Sequence, residues 1–377
     1  MPAIHSTMRP PLACTFAHFA TPARRRWLAL ALTGLLAACS TTPGEPTPVA
    51  LVPPPALQLT GVPPVPRSVA DAVARYTESA GHGFLDWHPA QRAMLVTHRP
   101  AGGNTNQLFA LATPQGPLQA LTDSTEPLGN AWYEPRQGRS IVLARGNGGD
   151  EAYQLYRMDP PSRAQVLLTD PSQRHALNGW LHHSSLALVT SLPLDRTAQG
   201  GTRSEVSTRL WLLDPAKPGE GRTLAVLPGG GWSATAVSAD DTQLALLRYL
   251  SANESQVWLM DRASGQRRQL LPAPGAAAPP ASLYPAHFSA DGSTLYLLSD
   301  QAGEFRELVA MNLATGAQQR LTRHLPWDVE QVEPSPDGQT LALRVNVDGR
   351  NELRLMNAGT GLERALPALP VGSVGVL

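Results

Sequence analysis

The chain has 377 residues, in which 30 Lys+Arg balance 30 Asp+Glu, with two cysteines, 32 Gly and 36 Pro. That length holds two average domains or one large repetitive one, and Gly plus Pro, roughly 18% of the chain, stay below the ~25–30% that marks low-complexity disorder. Zero net charge argues against a bulk nucleic-acid binder, two cysteines exclude a disulfide scaffold, and 42% hydrophobic residues suffice for a core without suggesting a multi-span membrane protein. Lys217 is the single lysine, and the remaining basic residues are scattered arginines.

The first elements form an address label. Arg24-Arg25-Arg26 precedes an apolar run from Trp27 to Ala38, and Cys39 follows. A cationic start, a short apolar stretch and small residues before a break make a signal peptide over residues 1–38. The run is shorter than the ~20 residues that span a bilayer. Leu36-Ala37-Ala38-Cys39 has the form of a bacterial lipobox, so Cys39 is expected to become the acylated first residue, with an ordinary cleaved signal as the alternative. Ser40, rather than an aspartate, favours outer-membrane sorting, and the expected location is the periplasm. Removal of 1–38 takes away Arg9, Arg24, Arg25, Arg26 and Cys14. The remaining 339 residues carry a net charge of −4 and no second cysteine for a disulfide.

Residues 39–66 read as a tether: nine prolines fall within 40–66, including Pro53-Pro54-Pro55, and such a segment is semi-extended and buries little. Residues 67–83 follow as a short helix and lead-in. Val69, Val73 and Tyr76 lie at helical spacing from Arg67 to Ala80, and packing on the next domain is expected.

From residue 84 to 377 the sequence repeats. The clearest units, His287–Ser299 and Glu333–Val345, each place a short strand, a turn on Asp-Gly and an apolar second strand. Asp opens a tight turn and Gly supplies the positive φ that closes it. A polar loop, a third strand (Arg306–Asn312, Asn351–Asn357), a turn on Thr-Gly and a fourth strand such as Gln318–Thr322 complete the unit. The turns open at His88, Glu134, His182, Ser238, Ser289 and Ser335, with intervals of 46, 48, 56, 51 and 46. Four strands in this period, six times over, predict an all-β chain: a β-propeller of about six four-stranded blades. Six units close a ring by themselves; an incomplete seven- or eight-bladed ring is the open alternative. Trp87, Trp132, Trp180 and Trp232 recur near the start of four units and are expected between blades.

Residues able to carry chemistry are sparse. No Gly-x-Ser-x-Gly elbow occurs; Gly231-Trp232-Ser233-Ala234-Thr235 fails at its last position and lies at a blade start. The run Gly229-Gly230-Gly231 lacks the lysine and helix of a phosphate loop. His182-His183 reads as a solvated turn, and no metal or cofactor site is expected. The acidic pair Asp150 and Glu151, ahead of the strand Tyr153–Arg157, is the candidate substrate-binding site, suited to a cationic group such as a peptide amino terminus. Glu254, Glu304 and Glu352 recur at the matching place in later units. A repeated acid is also expected as a hairpin feature bonding the turn backbone, lining one rim of the ring.

Several stretches carry a resemblance: Phe84–Pro89, Glu151–Arg157, Tyr249–Ser255, Ser299–Phe305 and Pro326–Glu330. They resemble the propeller of the prolyl oligopeptidase family of serine peptidases, in its bacterial dipeptidyl-peptidase-like branch, and the blades are also similar to the repeats of TolB. The resemblance runs from about residue 84 onward. It implies a propeller that gates access to, and contacts, a peptide substrate. Family members continue into an α/β-hydrolase domain with a Ser-Asp-His triad, and no residue here matches nucleophile, acid or base. The sequence stops at Leu377, just after Leu366–Ser373, where another blade would be expected to open.

The expectation is therefore a non-catalytic, lipid-anchored periplasmic propeller, inactive by itself. Its expected partners are a peptide or protein ligand, the membrane through the N-terminal lipid and a separately encoded hydrolase domain, with no nucleic acid. A TolB-like envelope scaffold and a truncated gene product without function are the alternatives.

Overall fold

The structure is a computed structural model that describes residues 49–377 apart from 79–80, 101, 149, 196, 198–199, 201–204 and 371. The signal sequence, Cys39 and the first part of the tether lie outside the described residues. The chain divides into two units, 1–79 and 80–377.

In the first unit the proline-rich segment folds back on itself. Ala50 and Pro66 form an antiparallel bridge, and Leu51 N donates to Val65 O and Arg67 N to Val49 O at 2.9 and 2.7 Å. The expected helix is present as α1 (Arg67–Thr77), and Pro66 in an extended conformation stands at its N-cap. None of its residues is buried; Val69, Val73 and Tyr76 are 50%, 48% and 75% exposed.

The second unit is the predicted propeller of six four-stranded antiparallel sheets, each paired in sequence order. Blade 1 comprises β1 (His82–Trp87), β2 (Met94–His98), β3 (Gln107–Leu111) and β4 (Leu118–Ala120). Blade 2 comprises β5 (Leu128–Tyr133), β6 (Ile141–Arg145), β7 (Gln154–Met158) and β8 (Gln165–Leu167). Blade 3 comprises β9 (Gln173–Trp180), β10 (Ala187–Pro193), β11 (Ser207–Leu213) and β12 (Gly221–Pro228). Blade 4 comprises β13 (Trp232–Val237), β14 (Gln243–Ser251), β15 (Glu254–Asp261) and β16 (Arg267–Leu271). Blade 5 comprises β17 (Leu283–Phe288), β18 (Thr294–Ser299), β19 (Glu307–Asn312) and β20 (Gln318–Arg320). Blade 6 comprises β21 (Asp328–Pro334), β22 (Thr340–Val347), β23 (Arg350–Asn357) and β24 (Glu363–Arg364).

The six turn-opening residues follow the first strands as the repeat requires, and polar side chains fix the turns. In blades 4 to 6 a Ser-x-Asp unit does this. The hydroxyls of Ser238, Ser289 and Ser335 donate to Asp240, Asp291 and Asp337 at 2.5–2.6 Å. The same oxygens accept the N–H of Gln243, Thr294 and Thr340 across the hairpin. Hydrogen bonds from Ser238 and Thr242 hold the Asp240 carboxyl down at about 2. Every first strand also carries a bulge before its turn, at Leu85 in β1, Asn178 in β9 and Glu330 in β21, for example. Such a bulge adds the local twist that a blade needs.

Blades 2 to 5 bury both faces. Five clusters of buried apolar side chains occupy the junctions between consecutive blades, from 1–2 through 5–6. Trp132, Trp180 and Trp232 lie in or against two of these clusters, as expected. Trp87 does not: it is 57% exposed, because among the described residues no cluster and no hydrogen bond joins blade 6 to blade 1.

A second repeated device ties fourth strands to third strands: Leu108 N, Leu155 N and Leu308 N donate to the hydroxyls of Thr122, Thr169 and Thr322 at 2.8–3.0 Å. These hydroxyls satisfy strand donors that β4, β8 and β20 are too short to reach.

Leu143 is 1% exposed within the blade 1–2 cluster. Replacing it with alanine removes buried volume that neighbouring sheets cannot fill, so Leu143→Ala is expected to cost about 2–5 kcal/mol in urea unfolding. A loss below about 1 kcal/mol would mean the blade junctions are not the source of stability.

Candidate functional site

Antiparallel alternation puts the hairpins between second and third strands, and the starts of the first strands, on one rim of the propeller. The Asp-Gly-type turns lie on the other. Asp150 and Glu151 sit on the first rim, between β6 and β7, and the structure gives them different tasks. Asp150 Oδ1 accepts the N–H of Asn147 and Ala152 at 3.1 and 3.0 Å, closing the loop. Glu126 Oε2 holds the same loop from outside by accepting Gly148 N at 2.8 Å. Glu151 then adopts φ +53°, a left-handed conformation that costs a non-glycine residue roughly 1–2 kcal/mol. Its side chain is exposed and has no partner among the described residues. Strain of this kind, fixed by surrounding bonds, is an observation that points toward function.

The recurring acids share this rim but not the bonding expected of them. Glu254 and Glu304 are exposed and do not bond their turn backbones. Glu352 is bonded by Arg350 at 3.1 Å and lies 3.7 Å from Arg354. The backbone-capping role falls instead to Asp150. Three exposed tyrosines were not anticipated from the sequence: Tyr153 beside Glu151, Tyr249 and Tyr284, at 37%, 53% and 44% exposure. Gly129 shows how Tyr153 is placed, since a Cβ there would meet its ring at 2.7 Å. The available signal was position: Tyr153 and Tyr249 stand beside second-to-third-strand loops, where a strand's alternation gives out. An acidic rim studded with tyrosines can accept a cationic or amino-terminal group and stack on apolar side chains.

On the opposite rim, a cleft of about 630 Å³ at the blade 2–3 junction is lined by Glu134, Arg136, Arg139, Arg157, Asp159 and Asp214, among others. Glu134 is committed to the turn: it accepts the N–H of Arg136, Gln137 and Gly138 and the hydroxyl of Ser185. These bonds hold its carboxyl below the usual range although burial acts in the other direction. His182 and His183 are exposed, as a solvated turn requires, and their backbone is tied down. Their N–H groups bond the Asp241 carboxylate of the next blade at 2.7 and 2.9 Å, a carboxylate that sequence distance hides. Among the described residues no His/Cys/Asp/Glu group is arranged to hold a metal ion.

One buried polar chain crosses blade 3. Trp211 Nε1 donates to Ser191 Oγ at 2.7 Å, His175 Nδ1 lies 2.7 Å from the same oxygen, and His175 Nε2 lies 2.9 Å from Asp170 O. The backbone acceptor requires a proton on Nε2, which leaves Nδ1 of the neutral ring free to accept from Ser191. Ser191 is 1% exposed and its hydroxyl is engaged by both Trp211 and His175, so this serine–histidine pair is closed to a substrate. Burial pushes the His175 pKa down, against the pull of Asp170.

No family model and no curated sequence matches the chain. Among solved structures, a prolyl endopeptidase superposes with TM-score 0.61 at 15% identity, over 81% of this chain and 46% of that one. An oligogalacturonate lyase in complex with manganese superposes with TM-score 0.55 at 14% identity, over 75% and 77%. TolB from Acinetobacter baumannii gives 0.46 at 14%, over 78% and 67%, too distant to bear on the reading. The chain thus spans about half the length of the endopeptidase. Likenesses at such identity establish the fold, a β-propeller of the kind found in prolyl oligopeptidases, with no catalytic domain evident among the described residues.

A histidine that resists protonation in the fold, but not when unfolded, destabilises the protein as pH falls below the unfolded pKa of about 6.5. Stability to urea is expected to be lower at pH 5.5 than at pH 7.5, with the difference reduced in His175→Gln. A pH dependence unchanged by that substitution would rule out the buried chain as its source.

Proposed function

We propose that this chain is the peptide-binding, non-catalytic propeller of a prolyl-oligopeptidase-like serine peptidase, in which the rim bearing Glu151 meets the peptide. The observation that carries the reading is Glu151 itself: a carboxylate without a partner among the described residues, presented in a left-handed conformation by Asp150 and Glu126, beside exposed Tyr153. A peptide amino terminus is the group such a carboxylate suits, and a charge-assisted hydrogen bond contributes about 1.5–3 kcal/mol. In this reading the propeller admits and orients peptides, and bond cleavage belongs to a hydrolase domain. A lipid on Cys39 would hold it at the periplasmic face of the outer membrane, with the proline-rich segment as spacer.

The proposal is tested by calorimetric titration with a short peptide carrying a free amino terminus. Glu151→Gln is expected to weaken binding about tenfold, and N-acetylation of the peptide to weaken it equally. Indifference to both changes would refute the assignment and favour an interaction scaffold. The purified chain by itself is expected to turn over no dipeptidyl substrate; serine-dependent hydrolysis by rigorously pure protein would overturn the non-catalytic reading. Separately, Cys39→Ser is expected to shift the protein from the membrane to the soluble fraction, and unchanged fractionation would refute the anchor.

A further inference from the structure

The cleft of about 630 Å³ at the blade 2–3 junction lies on the rim opposite Glu151, and peptide binding leaves it unused. Strand alternation supplies one of its cations. Arg157 shares a face of β7 with Leu155, which packs into the blade 2–3 cluster, and it lines the cleft beyond that cluster. The turn between β5 and β6 supplies two more, Arg136 and Arg139, on either side of Gly138, whose N–H Glu134 holds. Asp214, Pro215 and Ala216, at the end of β11, form the wall from blade 3.

Two of the three guanidiniums are pinned across the junction by one N–H each: Arg157 donates to Pro215 O at 3.0 Å and Arg136 to His182 O at 3.4 Å. Among the described residues Arg139 makes no hydrogen bond, and none of the three is ion-paired. A guanidinium presents five N–H donors, so most of the donors here have no protein acceptor. Blades 5 and 6 treat their arginines differently, since Arg306, Arg320, Arg344 and Arg354 each pair with a carboxylate. The carboxylates that line the cleft are engaged by their own turns instead. Both oxygens of Glu134 accept turn N–H groups, Asp159 accepts the hydroxyl of Ser162, and Asp214 Oδ1 accepts Ala216 N at 2.9 Å.

The charge beyond the lining has the same sign. A second cleft of about 700 Å³ shares Asp214 with the first, and Lys217, Arg222 and Arg262 line it against Glu220. Elsewhere on this rim the balance reverses: the first turns of blades 4 to 6 carry Asp240, Asp241, Asp291 and Asp337 and no basic residue. Positive charge is therefore local to the neighbourhood of blades 2 and 3, and a concave wall concentrates its field.

We propose that the cleft at the blade 2–3 junction binds a phosphate monoester, with Arg136, Arg139 and Arg157 donating to its phosphate oxygens. A carboxylate offers two oxygens and one charge, fewer acceptors than three guanidinium forks can engage. A phosphate monoester offers three oxygens and close to two charges at neutral pH. The organic part of the ester has room along Pro215 and Ala216. A soluble ester and the headgroup of phosphatidic acid present the same oxygens, and the site stands whether or not the opposite rim binds peptides.

The test titrates glycerol 3-phosphate into the full chain in phosphate-free buffer, and measures co-sedimentation with phosphatidylcholine vesicles with and without phosphatidic acid. The chain carries Cys39→Ser, so that no lipid of its own holds it to vesicles. Saturable binding is expected in at least one arm. Binding of the soluble ester supports the site with a diffusible ligand, and binding confined to phosphatidic acid vesicles supports it with a membrane headgroup. In that arm Arg139→Gln is expected to weaken binding about tenfold or more. Its side chain is exposed and bonds nothing among the described residues, so the melting temperature of the ligand-free chain is expected to stay unchanged. Arg92→Gln removes an exposed charge from the blade 1 turn of the same rim and is expected to leave binding nearly unaltered. Absence of binding in both arms would overturn the proposal. So would equal losses in Arg92→Gln and Arg139→Gln, which mean a diffuse field, or displacement of the bound ester or vesicles by equimolar acetate.

Discussion

The packing of one twisted sheet on the next is the constraint from which the rest of this propeller follows. A four-stranded blade with apolar residues on both faces is not stable by itself, because each uncovered face leaves large side chains in water. Covering one face creates the same need at the next, so the fold is propagated blade by blade. Continuously apolar second strands such as Ile141–Ala144 and Leu295–Leu298 result, and their residues are nearly all buried. The chain meets this requirement at five junctions. At the ends it responds in two ways: blade 1 leaves Trp87 exposed, while blade 6 places Arg344 on its forward face and lays residues 373–377 over it.

The polar groups divide along the two rims. On one, Ser-x-Asp turns, Glu134 and Asp241 spend their carboxylates on backbone N–H groups within a blade or from its neighbour, so these acids are structural. On the other, Asp150, Glu126, Asp300 and Asp328 do that work, while Glu151 projects without a partner among the described residues. Likeness to a prolyl endopeptidase establishes the architecture. An oligogalacturonate lyase superposes nearly as well, so the architecture alone names no substrate. The functional reading rests on the rim around Glu151.

The repeat was legible because each turn demands particular residues. Asp-Gly and Thr-Gly positions marked the hairpins, and all six turn-opening residues stand where the intervals placed them. The bulges, the threonine ties to the third strands and the Asp241 bonds to His182 and His183 were not legible. Each joins residues that are distant in sequence or depends on register, and neither property has a local signal. The acid pair was legible as a pair, but the division of labour between Asp150 and Glu151 was not, since it depends on one backbone conformation. Val69, Val73 and Tyr76 announced the helix correctly.

The amino-acid sequence by itself determined the strand period, the four-strand unit and its six repeats, because turn chemistry and apolar alternation act over a few residues. Tertiary structure alone decided which faces are covered and which carboxylates are already spent. It also showed that Val374 repeats on blade 6 the bond that Val329 makes to blade 5. Those outcomes depend on which sheet comes to rest against which, and that information exists only once the blades have packed.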